Sequence, residues 1–196
     1  MTRILAFSDL HGSAVAAARL VEAAADADLV IGAGDFCNMR HGLGEAMALL
    51  APLAGKAVFV PGNAESADEL RAATTALVLH GQAATRGGLR LFGMGYGVPV
   101  TPFGAWSCDL TEAAAAAMLA GMGATDILIT HAPPKGVADR SLHGQSLGST
   151  AIRAAIERLQ PGYCLCGHIH DSWGQRGMIG VTEVINLGPD PVWIEL

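Results

Sequence analysis

The chain has 196 residues, of which 51% are hydrophobic and 15% are charged. This composition excludes a largely disordered chain and predicts one folded domain over residues 1–196. The net charge is −6 and no basic run is present, so we expect no nucleic-acid partner. No apolar stretch reaches the ~20 residues of a membrane helix, and the start of the chain lacks a signal-peptide layout. We therefore expect a cytoplasmic protein without a membrane partner, and nothing in the sequence indicates the oligomeric state.

Four cysteines are present, too few and too widely separated for a disulfide framework. Cys164 and Cys166 alternate within an apolar run, which is typical of buried strand residues. No C-x-x-C pair occurs, so a structural zinc site built on thiolates is disfavoured.

The first half of the chain alternates between short apolar runs and helical patterns. Ser13 caps an alanine-rich helix, and Ser66 with Glu69 forms a capping box before another short helix. The predicted elements in this half are a strand over 4–7, a helix over 13–25, a strand over 29–33, a helix over 41–50, a strand over 57–60 and a helix from residue 66.

From residue 76 onward the apolar period shortens. The runs 77–79 and 89–92 predict consecutive strands joined by the Gly87-Gly88 turn, and Asp109 with Glu112 three residues later predicts the start of a helix. The fold class is α/β with a β-rich C-terminal portion. The other predicted elements are a loop over 96–108, a strand over 127–130, a loop over 132–148, a helix from Ser149 to Pro161, and strands over 163–166, 178–181, 183–185 and 192–196.

Side chains that ligate metals follow five of the predicted strands, each at the point where the strand ends. If these strands lie in one sheet, their carboxyl ends meet at one edge and the side chains converge there. Gly34, Gly62 and Gly167 precede candidate ligands, where the backbone must turn tightly or approach an ion closely. The candidates are Asp9, His11, Asp35, Asn63, His131, His168 and His170.

The candidates form an ordered set of short motifs along the chain. This set, with Thr130-His-Ala-Pro-Pro134 and Gly167-His-Ile-His-Asp-Ser172, resembles the signature of the calcineurin-like metallophosphoesterase superfamily, especially its small single-domain members. The resemblance covers essentially the whole chain. It implies a four-layer α-β-β-α sandwich of two mixed sheets flanked by helices, with the metal site at the C-terminal ends of the strands. The motifs are Asp9-Leu-His11, Gly34-Asp35, Gly62-Asn63, a lone His131 and Gly167-His168-Ile-His170.

The resemblance also implies a dinuclear metal centre. We expect two divalent ions, with manganese as the first choice and iron, zinc or nickel as alternatives, because oxygen and nitrogen donors do not select among them. Asp35, Asn63 and His131 are also the implied catalytic residues. By the resemblance, Asp9, His11 and His170 hold the first ion, Asn63, His131 and His168 hold the second, and Asp35 bridges both.

The implied reaction is in-line attack on phosphorus by a hydroxide that bridges the two ions, since shared coordination lowers the pKa of water. Two divalent ions, two carboxylates and one hydroxide leave about one net positive charge. An acidic protein can therefore bind an anionic phosphate, and the expected partner is a small phosphorylated substrate.

One position departs from the family pattern. Many relatives carry a histidine after Gly-Asn, placed to protonate the leaving oxygen, but here Ala64 follows Asn63. General acid catalysis contributes ~10²–10⁴-fold to a rate. The missing acid and the similarity to small family members lead us to predict a phosphodiesterase, and His143 is a candidate replacement acid.

Several other residues admit two interpretations. Glu65 either anchors a neighbour of the metal site or belongs to a helix start that favours carboxylates. Arg40 and His41 either reach a substrate phosphate or belong to a solvated loop, which we favour. Aromatic candidates for the mouth of the pocket are Tyr96, Trp106 and Trp173, whereas Trp193 is a candidate core residue.

A competing hypothesis is a catalytically weak or inactive scaffold that binds proteins, as a retromer subunit with this fold does. Seven intact donor positions favour an enzyme, because a binding platform does not require them. A nuclease is a third and minor hypothesis that the charge distribution disfavours.

Overall fold

The computed structural model describes residues 1–196 as five helices and eleven strands, with short 3₁₀ helices over Ala24–Asp26, Ala51–Lys56 and His170–Ser172. In chain order the elements are β1 (Arg3–Phe7), α1 (Ala14–Ala23), β2 (Leu29–Gly32), α2 (Leu43–Leu50), β3 (Ala57–Phe59), α3 (Ala67–Ala73), β4 (Leu77–Val78), β5 (Gln82–Arg86), β6 (Leu89–Met94), α4 (Glu112–Leu119), β7 (Ile127–Thr130), α5 (Thr150–Leu159), β8 (Tyr163–Cys166), β9 (Arg176–Ile179), β10 (Thr182–Asn186) and β11 (Val192–Glu195).

The strands form two mixed sheets. In the first sheet the order is β11-β1-β2-β3-β4, and only β11 runs antiparallel to its neighbour. In the second sheet the order is β5-β6-β7-β8-β10-β9, with β5 and β9 as the antiparallel edges. Each sheet therefore has a parallel interior, which requires cover on both faces.

Strand β1 shows how that cover is built, because its successive side chains point to opposite faces. Ile4 and Ala6 join a central apolar cluster that also contains Ile129 of the second sheet. Leu5 and Phe7 join an outer cluster with residues of α1, α2 and α3. A third cluster packs the second sheet against α4 and α5. The predicted α-β-β-α sandwich of two mixed sheets is therefore confirmed.

The predicted helix starts are confirmed where a hydroxyl side chain caps the first turn. The Ser13 side chain accepts a hydrogen bond from the Ala16 N–H, and the capping box of Ser66 and Glu69 is present. The helix predicted over 41–50 begins later, at Leu43, because Gly42 precedes it in a left-handed conformation.

The prediction that Asp109 begins a helix is wrong, since α4 begins at Glu112. The Glu112 carboxylate instead caps α5. It accepts hydrogen bonds from the Ser149 hydroxyl at 2.8 Å and from the N–H groups of Thr150 at 2.9 Å and Ala151 at 2.8 Å. The first-turn carboxylate of one helix thus satisfies the free N–H groups of another.

The prediction of consecutive strands over 77–79 and 89–92 is also wrong. Strand β4 pairs with β3 in the first sheet, whereas β6 lies in the second sheet. The Gly87-Gly88 turn connects β6 to β5, which the sequence does not predict. Residues 82–86 are mostly exposed at the sheet edge and lack apolar alternation, so they carry no strand pattern.

The parallel strands that precede the candidate ligands are divided between the two sheets. Strands β1, β2 and β3 belong to the first sheet, and β7 and β8 belong to the second. The assumption that all five share one sheet is therefore wrong. The loops that follow them nevertheless meet, as shown by the Ala33 carbonyl of the first sheet, which lies 2.8 Å from Nδ1 of His131.

No helix in the structure combines the length and the hydropathy that a membrane crossing requires. All four cysteines are free, and Cys164 and Cys166 are buried in β8 as the pattern predicts.

The contact between Glu112 and α5 predicts a pH-dependent stability. Burial would raise the pKa of Glu112, but hydrogen bonds from Ala151 and Thr150 lower it below its ordinary value of 4.5. The carboxylate therefore stabilises the fold above that value and loses this effect as the pH falls through the lowered pKa. We expect Glu112→Gln to reduce the free energy of unfolding in urea by about 1 kcal/mol at pH 7, and by less at acidic pH.

The matched control for this prediction is Glu157→Gln. Glu157 is an exposed carboxylate of α5 that pairs with Arg153, so its loss should change the unfolding free energy by less than about 0.5 kcal/mol. An equal destabilisation by Glu112→Gln at neutral and acidic pH would contradict the capping role.

Candidate metal centre

The structure brings all seven candidate residues to one edge of the sandwich. Asp9 and His11 follow β1, Asp35 follows β2, and Asn63 follows β3. The other three follow strands of the second sheet, His131 after β7 and both His168 and His170 after β8. The contacts described below join them into one cluster.

The first group consists of Asp9, His11 and His170. The Nε2 atoms of His11 and His170 are 3.1 Å apart, and Nε2 of His170 lies 3.8 Å from Oδ1 of Asp9. One ligand atom from each of the three residues lies within 4.8 Å of the others. Nδ1 of His11 faces the Cys37 carbonyl at 3.2 Å, so Nδ1 carries the proton and Nε2 presents a lone pair.

The second group is centred on the fully buried His131. Its Nε2 atom lies 3.1 Å from Oδ1 of Asn63, and its ring centroid lies 4.9 Å from that of His168. Asp9, Asp35 and His131 also form a set whose ligand atoms lie within 4.8 Å of one another. The two groups are therefore adjacent.

Asp35 lies between the two groups and directs one oxygen to each. Its Oδ2 atom is 3.7 Å from Nε2 of His11, and its Oδ1 atom is 3.4 Å from Nε2 of His131. The Ala64 N–H donates to Oδ1 at 2.8 Å. A carboxylate in this position can contact one cation on each side.

The hydrogen bonds around His131 indicate a place for a cation. Its Nδ1 atom must carry a proton because it faces the Ala33 carbonyl, so the ring presents a lone pair at Nε2 whenever it is neutral. This lone pair faces oxygen atoms of Asn63 and Asp35. Three acceptors directed at one another repel unless a positive charge lies among them. A proton on Nε2 supplies that charge in the metal-free protein, and a metal ion in the same place would supply it instead, so the donor set fits a metal ion.

The amide orientation of Asn63 follows from its neighbours. Asp109 can only accept, so the Ser107 hydroxyl donates to its Oδ1 at 3.0 Å and must itself accept from Nδ2 of Asn63 at 3.0 Å. Oδ1 of Asn63 is thereby directed at His131. Asp109 thus positions Asn63 through Ser107, whereas the sequence pattern predicts that Asp109 begins a helix.

The charged groups of the cluster shift one another's pKa values. Burial would raise the pKa of Asp35, but the adjacent His131 ring lowers it overall. Burial would lower the pKa of His131, but Asp35 raises it to about 9. Burial and the His131 ring lower the pKa of His168 to about 3, so His168 is neutral and keeps a free lone pair. Asp35 therefore favours positive charge at His131, whereas the charged His131 ring and burial disfavour it at His168.

Four of the seven residues have a backbone conformation that non-glycine residues rarely adopt. The φ angles are 53° at Asp9, 46° at His11, 55° at Asp35 and 70° at His168. Each such residue costs about 1–3 kcal/mol, and clusters of them are typical of functional sites. The sharp turn at each strand end directs the side chain into the cluster.

Two of the predicted glycines allow these turns to approach one another. A Cβ atom at Gly62 would collide with the carboxylate and the N–H of Asp35. Gly34 has a φ of 98°, and a Cβ there would lie 2.6 Å from Gly62 and 2.7 Å from His131. Any side chain at either position would displace Asp35 or His131.

Glu65 anchors the Asp35 loop, which is one of the two interpretations that the sequence leaves open. It is fully buried. Its carboxylate accepts hydrogen bonds from the N–H groups of Asp35 at 2.9 Å, Phe36 at 3.1 Å, Cys37 at 3.4 Å and Gly62 at 2.6 Å. Burial and the Asp35 carboxylate raise the pKa of Glu65 to about 7, and the N–H donors oppose this.

Asp9 is held by contacts that the sequence does not reveal. Nε1 of Trp173 donates to Oδ2 of Asp9 at 2.9 Å, and the His168 N–H donates to the same oxygen at 3.1 Å. The Trp173 ring also packs on His170 at a centroid distance of 4.4 Å. Trp173, predicted at the pocket mouth, therefore orients two candidate ligands.

The structure does not bring the other candidates into the cluster. The Arg40 guanidinium is bound to Glu69 at 2.7 Å and to Sγ of Cys108 at 2.9 Å. His41 and His143 are exposed and form no side-chain hydrogen bond with the seven residues. Ala64 is buried.

Among the aromatic candidates, the Tyr96 hydroxyl accepts a hydrogen bond from the Ala67 N–H and its ring packs on His80. Trp106 stacks on Phe103. Trp193, predicted as a core residue, is only partly buried and packs against the outer cluster of the first sheet.

The profile of the calcineurin-like phosphoesterase family matches residues 2–172. The chain belongs to this family. Two UPF0046 proteins of Caenorhabditis elegans are 37% identical to it over 62 residues and 38% identical over 64 residues. These matches cover 31% and 32% of this chain, but they span only 15% and 21% of the relatives.

Solved structures with low sequence identity share the fold. A Thermus thermophilus protein, TT1561, has a TM-score of 0.74 at 18% identity, over 95% of this chain and 89% of that one. A phosphopantetheinyl hydrolase of Mycobacterium tuberculosis has a TM-score of 0.65 at 15% identity, over 96% and 90%. A dimetal phosphatase of Danio rerio has a TM-score of 0.64 at 13% identity, over 96% and 88%. The resemblance inferred from the motifs is confirmed at the level of family and fold.

The anchoring role of Glu65 predicts a large loss of stability on a nearly isosteric change. Glu65→Gln places an amide NH₂ group against backbone N–H donors, which leaves buried donors without acceptors. We expect the free energy of unfolding in urea to fall by about 1–3 kcal/mol.

The matched control is Glu45→Gln, which changes an exposed carboxylate in the first turn of α2. It should alter the unfolding free energy by no more than about 0.5 kcal/mol. If Glu65→Gln is as stable as this control, the carboxylate does not hold the loop.

Proposed function

We propose that this chain is a metal-dependent phosphodiesterase with a dinuclear centre. The family acts on phosphoesters and binds divalent metals. The observation that supports the finer proposal is the position of Asp35, whose two oxygens face histidines of both donor groups. In this proposal Asp9, His11 and His170 hold one ion, Asn63, His131 and His168 hold the other, and Asp35 contacts both.

Two bound divalent ions would supply a nucleophile from water at neutral pH and would withdraw charge from the phosphoryl oxygens. We expect manganese, with iron, zinc and nickel as alternatives. The expected substrate is small and phosphorylated, and the cytoplasmic location stays a prediction.

The chain's own residues would fix the position of the reacting phosphate. Asp35 is held by Glu65 and by the Ala64 N–H, and Asn63 is held by Ser107. These groups are buried and already oriented, so little reorganisation opposes the reaction. Asp35, Asn63 and His131 are the catalytic residues of the proposal.

The preference for diesters rests on the similarity to small family members together with what lies at position 64. Ala64 offers no acidic proton, and the other loop histidines do not join the cluster. Without a general acid, the leaving oxygen must depart as a weak base. Aryl diesters and aryl monoesters both meet this requirement, so the test compares one of each with the same leaving group.

The test compares chelator-treated protein with and without added Mn²⁺ on bis(4-nitrophenyl) phosphate and on 4-nitrophenyl phosphate. We expect Mn²⁺ to restore cleavage, with the diester preferred. Asp35→Asn should lower kcat/KM by at least about 10²–10³-fold, because it weakens the shared contact to both ions.

The matched control is Asp26→Asn. Asp26 is an exposed carboxylate paired with Arg3, which begins β1 at the end opposite the cluster, so the variant should keep full activity. Full activity in Asp35→Asn would contradict the dinuclear proposal. No bound metal and no cleavage of either ester would favour the protein-binding scaffold instead.

A further inference from the structure

An apolar cleft of about 420 Å³ opens next to His168. One side is formed by residues 98–103, which follow β6 and precede α4. Gln145 and Leu147 contribute from the loop that precedes α5, and Ile169 lies beside His168 in the lining. Because the His168 ring also contacts His131 at a centroid distance of 4.9 Å, the cleft borders the donor cluster.

The lining of the cleft contains no acidic, lysine or arginine side chain. Three of its apolar residues are unusually exposed, with Val100 at 58%, Phe103 at 50% and Leu147 at 41%. Isolated exposed apolar residues are ordinary, but a contiguous patch beside a polar cluster is typical of a binding site. This lining fits an uncharged apolar group and contains no lysine or arginine that could bind a second phosphate.

Both sides of the cleft are held in place before any ligand binds. The N–H and the hydroxyl of Thr101 donate to Oδ2 of Asp109 at 3.1 Å and 2.8 Å, and the Phe103 ring stacks on Trp106 with centroids 5.4 Å apart. Asp109 is the same residue that orients Asn63 through Ser107. The apolar wall and a catalytic side chain are therefore fixed to each other.

On the other side, the cations nearest in sequence are bound to the loop itself. Nζ of Lys135 donates to the Ser146 carbonyl at 2.6 Å, and the Arg140 guanidinium donates to the Gly144 carbonyl at 2.7 Å. These contacts order the loop that carries Leu147. They also leave both cations occupied rather than directed to the cleft.

We propose that this cleft is a subsite for one bulky, uncharged, apolar ester group of the substrate. The proposal rests on the proposed function, and it narrows the substrate class to phosphodiesters that carry an apolar arm of about aryl size. The phosphate would lie at the donor cluster and the apolar arm would extend past His168 between Phe103 and Leu147.

The test uses two diesters with the same leaving group, methyl 4-nitrophenyl phosphate and benzyl 4-nitrophenyl phosphate, with the Mn²⁺-loaded protein. Burial of the benzyl group should raise kcat/KM about 10- to 100-fold over the methyl ester, mainly through KM. Leu147→Asp places a charge in the cleft and should reduce this ratio to near one. Val100→Asp, in the facing loop, should also reduce the ratio to near one. Because the two variants lie in different loops, misfolding of one of them leaves the other as a test.

The matched control is Leu142→Asp. Leu142 lies in the same loop as Leu147, is 84% exposed and does not line the cleft, so the benzyl-to-methyl ratio should stay at the wild-type value. Circular dichroism and thermal unfolding of all variants exclude a general folding defect.

Equal cleavage of the two esters by wild-type protein would overturn the subsite and leave the proposed function intact. Cleavage of neither ester would count against the proposed function instead. In that case calorimetry with benzylphosphonate and methylphosphonate decides on the subsite. At least about tenfold tighter benzyl binding that Leu147→Asp abolishes supports it, and equal affinities overturn it.

Discussion

The position of the buried Asp35 carboxylate determines the arrangement of the rest of the cluster. It lies where the turns after β1, β2 and β3 meet the turn after β7, and its two oxygens face His11 and His131. A buried carboxylate needs compensation, which comes from the Ala64 N–H on one oxygen and from His131. Any displacement of Asp35 would therefore disturb both donor groups at once.

The surrounding structure stabilises a local conformation that is unfavourable by itself. Four candidate ligands have positive φ angles. The Glu65 carboxylate accepts hydrogen bonds from N–H groups of the Asp35 loop, and glycines lack the Cβ atoms that would collide with Asp35 and His131. The strain sits at the ends of strands whose other residues are buried in a three-cluster core. The stability of the sandwich thus compensates for the energetic cost of holding the polar site in place. Loops 98–103 and 141–148 are the parts that can determine which substrate is selected.

The sequence predicts the strands of the site and the candidate ligands because both depend on local patterns, whereas the two-sheet sandwich is implied by the resemblance to the family. Apolar runs locate β1, β2, β3, β7 and β8, and short motifs mark the turns that follow them. The residues that orient the ligands are not predictable in this way. Trp173 donates a hydrogen bond to Asp9, although the two residues are 164 positions apart in the sequence. The sequence around Asp109 is typical of a helix start, but in the structure Asp109 accepts hydrogen bonds from Ser107 and Thr101. Strand β5 is likewise not predictable from the sequence, because an exposed edge strand needs no alternation of apolar and polar residues.

The proposed function requires that two metal ions share Asp35. Anomalous diffraction from crystals of the Mn²⁺-loaded protein tests it most directly. We expect two anomalous peaks, one beside His11 and His170 and the other beside His131 and Asn63, with an Asp35 oxygen bonded to each. A single peak, or two peaks of which only one contacts Asp35, would contradict it.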